Sequence, residues 1–227
     1  MLFEKIEDII IYRDASMLVL NKPSGIAVHP GSGSGGNLEK YFEDLRFGLP
    51  IKPALAHRLD KDTSGCLVLG RHPQAIRELG KIFENSKVDK KYHAIVAGKV
   101  VNNEGVIDLP LGPQSTRKSH WWMKVDHDKG KQSITNYKLL ACNEKYSLLE
   151  LAPITGRTHQ LRVHCSAIGH PILGDKIYGI ENEAPFNKPP LFLHAYSIVI
   201  PLYPKKNPIE VKADLPMHMQ GFIDKEF

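Results

Sequence analysis

The chain has 227 residues, 42% of them hydrophobic and 24% charged, a balance that excludes disorder and suits a globular protein with a sizeable core. Thirty Lys and Arg against 25 Asp and Glu leave a net charge of +5, which favours a polyanionic partner without demanding one. Cys66, Cys142 and Cys165 are odd in number and widely spaced, so neither a disulfide framework nor a zinc knuckle is indicated, and a reducing cytoplasm is expected.

Glu4, Glu7 and Asp8 stand where a signal peptide needs a basic region, and no apolar run approaches the ~20 residues that span a bilayer, so neither export nor a membrane is expected. Short aliphatic and β-branched runs then predict strands at residues 9–12 and 17–20. The glycines and serines of 31–36 could admit a phosphate, but no GK[ST] follows them, and a surface loop is the expectation. Residues 37–47 predict a helix, 66–69 a strand, and 73–86 a helix with Ile76, Leu79 and Phe83 on one face and Pro73 at its first position. Further strands are predicted at 92–96, 106–109, 134–140 and 147–151, and a third helix at 158–168, capped by Thr158 and ended by Gly169. Strands at 192–200 and 209–211 follow. Strands and helices do not alternate regularly, so the expected fold class is α+β: a mixed, largely antiparallel central sheet with helices packed against it, in a single domain over 1–227.

The likeliest seat of chemistry is His57-Arg58-Leu59-Asp60-Lys61-Asp62-Thr63-Ser64-Gly65, which sets a carboxylate among cations beside a tight turn. Opposite charges nearby favour the ionised form of a carboxylate, and that form can act as nucleophile or base. An Arg and an Asp in one loop can equally be a solvated ion pair of little worth. In residues 155–164, TGRTHQLRVH, His159 and Arg162 share a helix face with Ser166. A cation in a helix's first turn asks for an anion, which Asp60 or an RNA phosphate would supply; the alternative is a solvated surface Arg.

His159 and His164 are five apart with no Glu after the first, so no metal is expected. Tyr92 opens a strand behind Lys90 and Lys91, where it could stack on a base or fill the core. Arg117, Lys118, Lys124, Lys129 and Lys131 interleave with Trp121 and Trp122, a mixture that suits single-stranded RNA, though it could be a hairpin with its indoles folded inward. Asp60 and Asp62 lie too close in sequence to flank a glycosidic bond, which weakens a hydrolase reading. A binding module without catalysis remains the other alternative.

Six ordered segments, NKPSGIAVHPG (21–31), HRLDKDTSG (57–65), KKYHAIVAG (90–98), TGRTHQLRVH (155–164), HPILGDKIYG (170–179) and LFLHA (191–195), resemble the RluA-type RNA pseudouridine synthases over nearly the whole chain. The resemblance implies an isomerase that converts uridine to pseudouridine in tRNA or a ribosomal RNA stem-loop, with an RNA-binding cleft, base flipping and no cofactor. It implies Asp60 as the essential carboxylate, Tyr92 as the residue against the target uracil, and Arg162 as the partner of the aspartate. Arg58 is implied to help extrude the nucleotide, and Leu193 or Leu191 to wall the pocket. His57, Thr63, Arg157, Arg117 and Lys118 are the further substrate-binding candidates. Many relatives carry an added N-terminal RNA-binding domain; only residues 1–8 precede the first strand here, so a catalytic domain alone, in a cytoplasmic monomer, is expected.

Overall fold

The run Cys66-Leu67-Val68-Leu69 offers no polar side chain to water, and it lies in a strand, Ser64–Gly70, whose seven residues are all buried. The computed structural model describes residues 3–30, 36–114, 122–179 and 189–227. In chain order the strands and α-helices are β1 (Ile10–Arg13), β2 (Met17–Lys22), β3 (Ala54–Leu55), β4 (Ser64–Gly70), α1 (Pro73–Glu84), β5 (Asp89–Ala97), β6 (Glu104–Asp108), β7 (Leu111–Pro113), β8 (Met123–Val125), β9 (Ile134–Cys142), β10 (Tyr146–Pro153), α2 (Gln160–Ala167), β11 (Leu193–Ile200), β12 (Ile209–Lys212) and α3 (Met217–Glu226). Each strand expected from the sequence is present. The registered pairings are antiparallel, and the chain is a mixed α and β protein, mostly antiparallel with few helices.

Two compact units form, Met1–Lys90 with Ala195–Pro216, and Lys91–His194 with Met217–Phe227. In the first, strands run in the order β1-β2-β4-β11, with β3 also on β4 and β12 on β11. Met17 to Leu20 and Leu67 to Leu69 have no exposed surface, which makes β2 and β4 the floor of this unit. Helix α1 packs on β4; the His72 Nδ1 caps it by accepting from the Ala75 N–H at 3.2 Å, and Pro73 takes the first turn as expected. In the second unit the order is β5-β10-β9-β6, and β7 and β8 form a separate two-stranded ribbon. Helix α3 closes this unit, with Phe222 edge-on to Tyr146 at 5.1 Å and to Phe192 at 5.2 Å. Gly221 in its middle hid this helix from the hydrophobic pattern.

Two helix expectations are corrected. Residues 37–47 form only a 3-10 helix, Leu38–Tyr41, followed by tight turns in which Asp44, Leu45 and Arg46 each bond three residues back. Leu38, Phe42 and Leu45 are all fully buried, so the apolar spacing was real, but it is met by i→i+3 turns that end at Phe47, whose φ is +46°. The third helix starts at Gln160 rather than Thr158, because His159 adopts φ +53° and ψ +18°, a left-handed conformation no helix can pass through. The N-cap position is therefore His159 rather than Thr158, whereas Gly169, at φ +84°, does end the helix as expected.

Candidate active site

In the first unit the loop around Asp60 is seated on a buried lysine. Lys22, the last residue of β2, has no exposed surface, and its ammonium donates to the carbonyls of Pro23 at 2.9 Å, Ile26 at 2.9 Å and Lys61 at 3.0 Å. Three protons meet three acceptors. Burial pulls the Lys22 pKa down to about 7, against the opposing pull of the Asp62 and Asp60 carboxylates, which favour its charged form. The Gly25 N–H donates to the same Lys61 carbonyl at 3.0 Å, and the Ser24 hydroxyl to the Asp62 carbonyl at 2.6 Å. The segment 21–25 thus clamps the backbone of 61–62 from beneath.

The remainder of the motif is anchored with equal economy of geometry. The Thr63 N–H closes a turn on the Asp60 carbonyl at 3.2 Å, and both Thr63 and Ser64 are buried. Gly65 has φ +106°, and a Cβ there would stand 2.3 Å from the Ala195 carbonyl oxygen, so only glycine fits. His57 stacks on Phe83 with centroids 4.4 Å apart, and its Nε2 accepts the Val68 N–H at 3.0 Å. Burial, with the charge of Lys90 beside it, pushes the imidazole down to about 3, so His57 is a neutral anchor with its proton on Nδ1. Arg58 and Lys61 are exposed, Leu59 between them and the core is buried, and Asp60 and Asp62 are half-buried.

In the second unit, TGRTHQLRVH is organised by Gln160, which is only 4% exposed. Its Oε1 accepts from the Thr155 hydroxyl at 2.8 Å and the Arg157 N–H at 3.0 Å; its Nε2 donates to the Ile134 carbonyl and the Thr135 hydroxyl, both at 3.0 Å. The Thr135 hydroxyl then donates to His164 Nδ1 at 2.9 Å, and His164 Nε2 donates to the Leu109 carbonyl at 3.0 Å. This is the one proton arrangement that satisfies every member, and it requires a neutral His164, whose pKa burial lowers. His164 is therefore accounted for by hydrogen bonds on both ring nitrogens.

Arg162 is 5% exposed, which discards the solvated alternative. Its Nε donates to Asp175 Oδ2 at 2.7 Å and its Nη2 to Asp175 Oδ1 at 2.6 Å, a bidentate pair. Burial alone would raise the Asp175 pKa, but the bonds and charge of Arg162, with the N–H groups of Ile177 and Tyr178, hold it below the usual carboxylate range. Gly174, at φ +74°, starts this turn; a Cβ there would sit 2.1 Å from the Pro190 carbonyl oxygen. The shared face expected of residues 159, 162 and 166 is real: His159 Nδ1 lies 2.8 Å from the Tyr178 hydroxyl, the Arg162 guanidinium 5.2 Å from the Tyr178 ring, and the Ser166 hydroxyl 2.9 Å from the Tyr178 carbonyl.

Tyr92 is half-buried at the outer part of β5, opposite Leu151, where the fully buried stretch from Ala94 to Val96 begins. Leu193 and Leu191 are buried, on a segment whose Phe192 carbonyl accepts from the Ile95 N–H of β5 at 3.1 Å. Arg157 is exposed, its Nε held 3.3 Å from the Gln132 carbonyl. Arg117, Lys118 and Trp121 lie outside the described residues, as do residues 31–35 of the glycine-rich loop. Trp122 is 41% exposed.

Lys22, Gln160, Asp175 and Tyr178 carry this geometry without having been singled out by residue type. All four lie inside NKPSG, TGRTHQLRVH and GDKIYG, so the motifs held the signal; which atoms pair across a turn did not show in the spacing. Among the described residues no group of three or more His, Cys, Asp and Glu could hold a metal, and no helix is long and apolar enough to cross a membrane.

Comparison with known proteins agrees in kind. The model of the RNA pseudouridylate synthase family matches residues 16–167. An uncharacterised RNA pseudouridine synthase of Zymomonas mobilis is 42% identical over 219 residues, covering 96% of this chain and 97% of that protein. Ribosomal large subunit pseudouridine synthase D of Borreliella burgdorferi is 38% identical over 199 residues, 84% of this chain but 60% of its own length. Among solved structures, human RNA Pseudouridylate Synthase Domain Containing 4 superposes with a TM-score of 0.81 at 28% identity, over 96% of this chain and 93% of that one. The chain belongs to the RNA pseudouridine synthase family, and it is an isomerase of uridine in RNA.

Proposed function

We propose that the protein isomerises particular uridines of large-subunit ribosomal RNA, with Asp60 as the essential carboxylate. The RNA class follows the printed function of relatives such as the Borreliella enzyme. The observation that carries the role of Asp60 is the cradle around it: a half-buried carboxylate on a loop fixed from beneath by Lys22, Ser24 and Gly25 and closed by a glycine that no other residue can replace. A loop so constrained holds one side chain in one place, as catalysis requires.

The reaction breaks the bond from ring N1 to ribose C1′, turns the uracil, and joins C5 to C1′; C5 gives up a proton and N1 gains one. Nothing is oxidised or hydrolysed, so the chemistry asks for a nucleophile or base and for exclusion of water, which would otherwise trap the detached sugar. Asp60 fills the first role. Tyr92 is the candidate for the C5 proton, and Arg162, fixed in direction by Asp175, is the candidate cation. The uridine must leave its stack to react, at a cost of a few kcal/mol that is least in a loop. Arg58, which is exposed, is the candidate to occupy the vacated position, and Arg157, Arg117 and Lys118 are the candidates that supply charge for the backbone.

RNA carrying tritium at C5 of uridine tests this directly. Wild-type protein should release tritium from a large-subunit ribosomal RNA transcript, and Asp60→Asn should lower the rate by about 10³-fold or more while RNA binding persists. Residual activity of a tenth or greater would remove Asp60 from its role. Free uracil would mean hydrolysis, and release only from tRNA would move the substrate assignment.

A further inference from the structure

Tyr178 ends the turn Gly174-Asp175-Lys176-Ile177-Tyr178 and meets three parts of the second unit. Its backbone N–H donates to Asp175 Oδ1 at 3.1 Å, the oxygen that also receives Arg162 Nη2. Its ring stands against the Arg162 guanidinium at 5.2 Å, a cation–π distance. Its hydroxyl accepts the Met123 N–H of β8 at 2.8 Å and lies 2.8 Å from His159 Nδ1. The His159 ring lies edge-on to the phenol at 5.6 Å, so the hydroxyl bridges the ribbon and the residue that opens the Arg162 helix.

The Met123 bond is more than a chance contact of a loop. Met123 faces Pro113 in the β7–β8 ribbon, and the Gln114 N–H donates to the Trp122 carbonyl at 2.8 Å. In an antiparallel ladder the next residue pair is then the one whose N–H groups point outward. The Met123 donor is therefore an edge donor of a two-stranded ribbon, and a side-chain oxygen from the Arg162 turn receives it. His159, the other partner of that oxygen, holds φ +53°, a conformation a non-glycine residue keeps only where its surroundings fix it. The same ribbon presents Trp122, 41% exposed, and exposed Lys124.

We propose that Tyr178 is a positioning residue that ties the β7–β8 ribbon to the turn holding Arg162, so that RNA is seated on a ribbon kept in register with the arginine. This rests on the ribosomal RNA reading above. The hydroxyl holds the ribbon; the ring and the backbone N–H hold the arginine and its carboxylate. The two functions separate by substitution.

Tyr178→Phe keeps the ring and the Asp175 bond and removes only the tie. With the tritiated ribosomal transcript, this variant should raise KM about fivefold or more while kcat stays within about twofold. Hydrogen exchange at residues 122–125 should accelerate in the RNA-free protein. Tyr178→Leu, which also removes the ring, should in addition lower kcat about tenfold. Wild-type KM and exchange in Tyr178→Phe would overturn the tie, as would a parallel fall of kcat, kcat/KM and melting temperature in that variant, the mark of a merely structural residue. Should Tyr178→Leu fail to fold, Tyr178→Phe decides alone. No tritium release by wild-type protein would strike the ribosomal RNA assignment instead, and the exchange measurement would still decide whether Tyr178 holds the ribbon.

Discussion

Each unit buries a cation beneath a segment assigned to the chemistry, and the two do it by different means. Lys22 sits among three backbone carbonyls, with the Asp62 and Asp60 side chains as more distant counter-charges. Arg162 is gripped by a carboxylate with no exposed surface of its own, through two charge-assisted hydrogen bonds. The difference follows from the cations themselves. An amine can shed its proton when burial makes the charge costly, and Lys22 has been drawn to about 7, where that is within reach. A guanidinium cannot, so carbonyls alone would leave a permanent buried charge, and the chain must supply an anion. The lysine cradle stiffens a stretch of backbone; the arginine fork fixes a direction in space.

The sharpest way to break this comparison is Asp175→Asn, which preserves shape and removes the charge. Removing this carboxylate charge from the buried guanidinium should cost about 3–5 kcal/mol of stability in denaturant unfolding, with activity lost in proportion to the arginine that no longer holds its direction. A variant within about 1 kcal/mol of wild type would show that Asp175 is not what neutralises Arg162. Lys22→Met should cost less, about 1–3 kcal/mol, because what is lost is a set of hydrogen bonds to neutral carbonyls rather than the partner of a fixed charge. Tritium release should fall in the same variant, since the Lys61 carbonyl would retain only its Gly25 bond. If Lys22→Met proves the more damaging of the two, the ranking of carbonyl cradle and carboxylate fork is reversed.

How far these arrangements could be read beforehand depends on range. Strands β1, β2, β4, β5, β6, β9, β10, β11 and β12 announced themselves because their apolar runs are local, and α1 because Pro73 and the spacing from Ile76 through Leu79 to Phe83 agree. The carboxylate of HRLD stood out by residue type and by resemblance. Arg162 was legible as a cation in need of an anion, but its partner in the second unit lies 13 residues on, beyond a helix end and a glycine turn, and no periodicity carries that information. Gln160 looks like any helix-surface amide until the turn at His159 rotates it inward onto Ile134 and Thr135. The 37–47 segment misled for the opposite reason: its spacing was correct, but it is met by 3-10 turns that stop at a positive φ at Phe47, which its side chain does not advertise.

A third buried base extends the comparison to pH at a smaller scale. His57 titrates near 6.5 when unfolded and near 3 in the folded protein, where burial, Lys90 and the Val68 N–H on its Nε2 all oppose a second proton. Between those values the unfolded chain binds more protons, so stability rises with pH; read downward, it is complete above about 6.5 and is lost as pH falls toward 3, at up to about 1.4 kcal/mol per pH unit for each such histidine. His164, His93 and His218 are lowered in the same direction and steepen the acid limb. Lys22 is silent there, because its own window runs upward from about 7 to 10.5. His57→Gln can still accept the Val68 N–H but takes up no proton, so it should flatten the acid limb by up to one proton's worth while leaving the slope above pH 7 unchanged. Chemical unfolding of both proteins across pH 4 to 9 reads this slope, and an acid limb as steep as the wild type's would show that His57 protonates freely in the folded state.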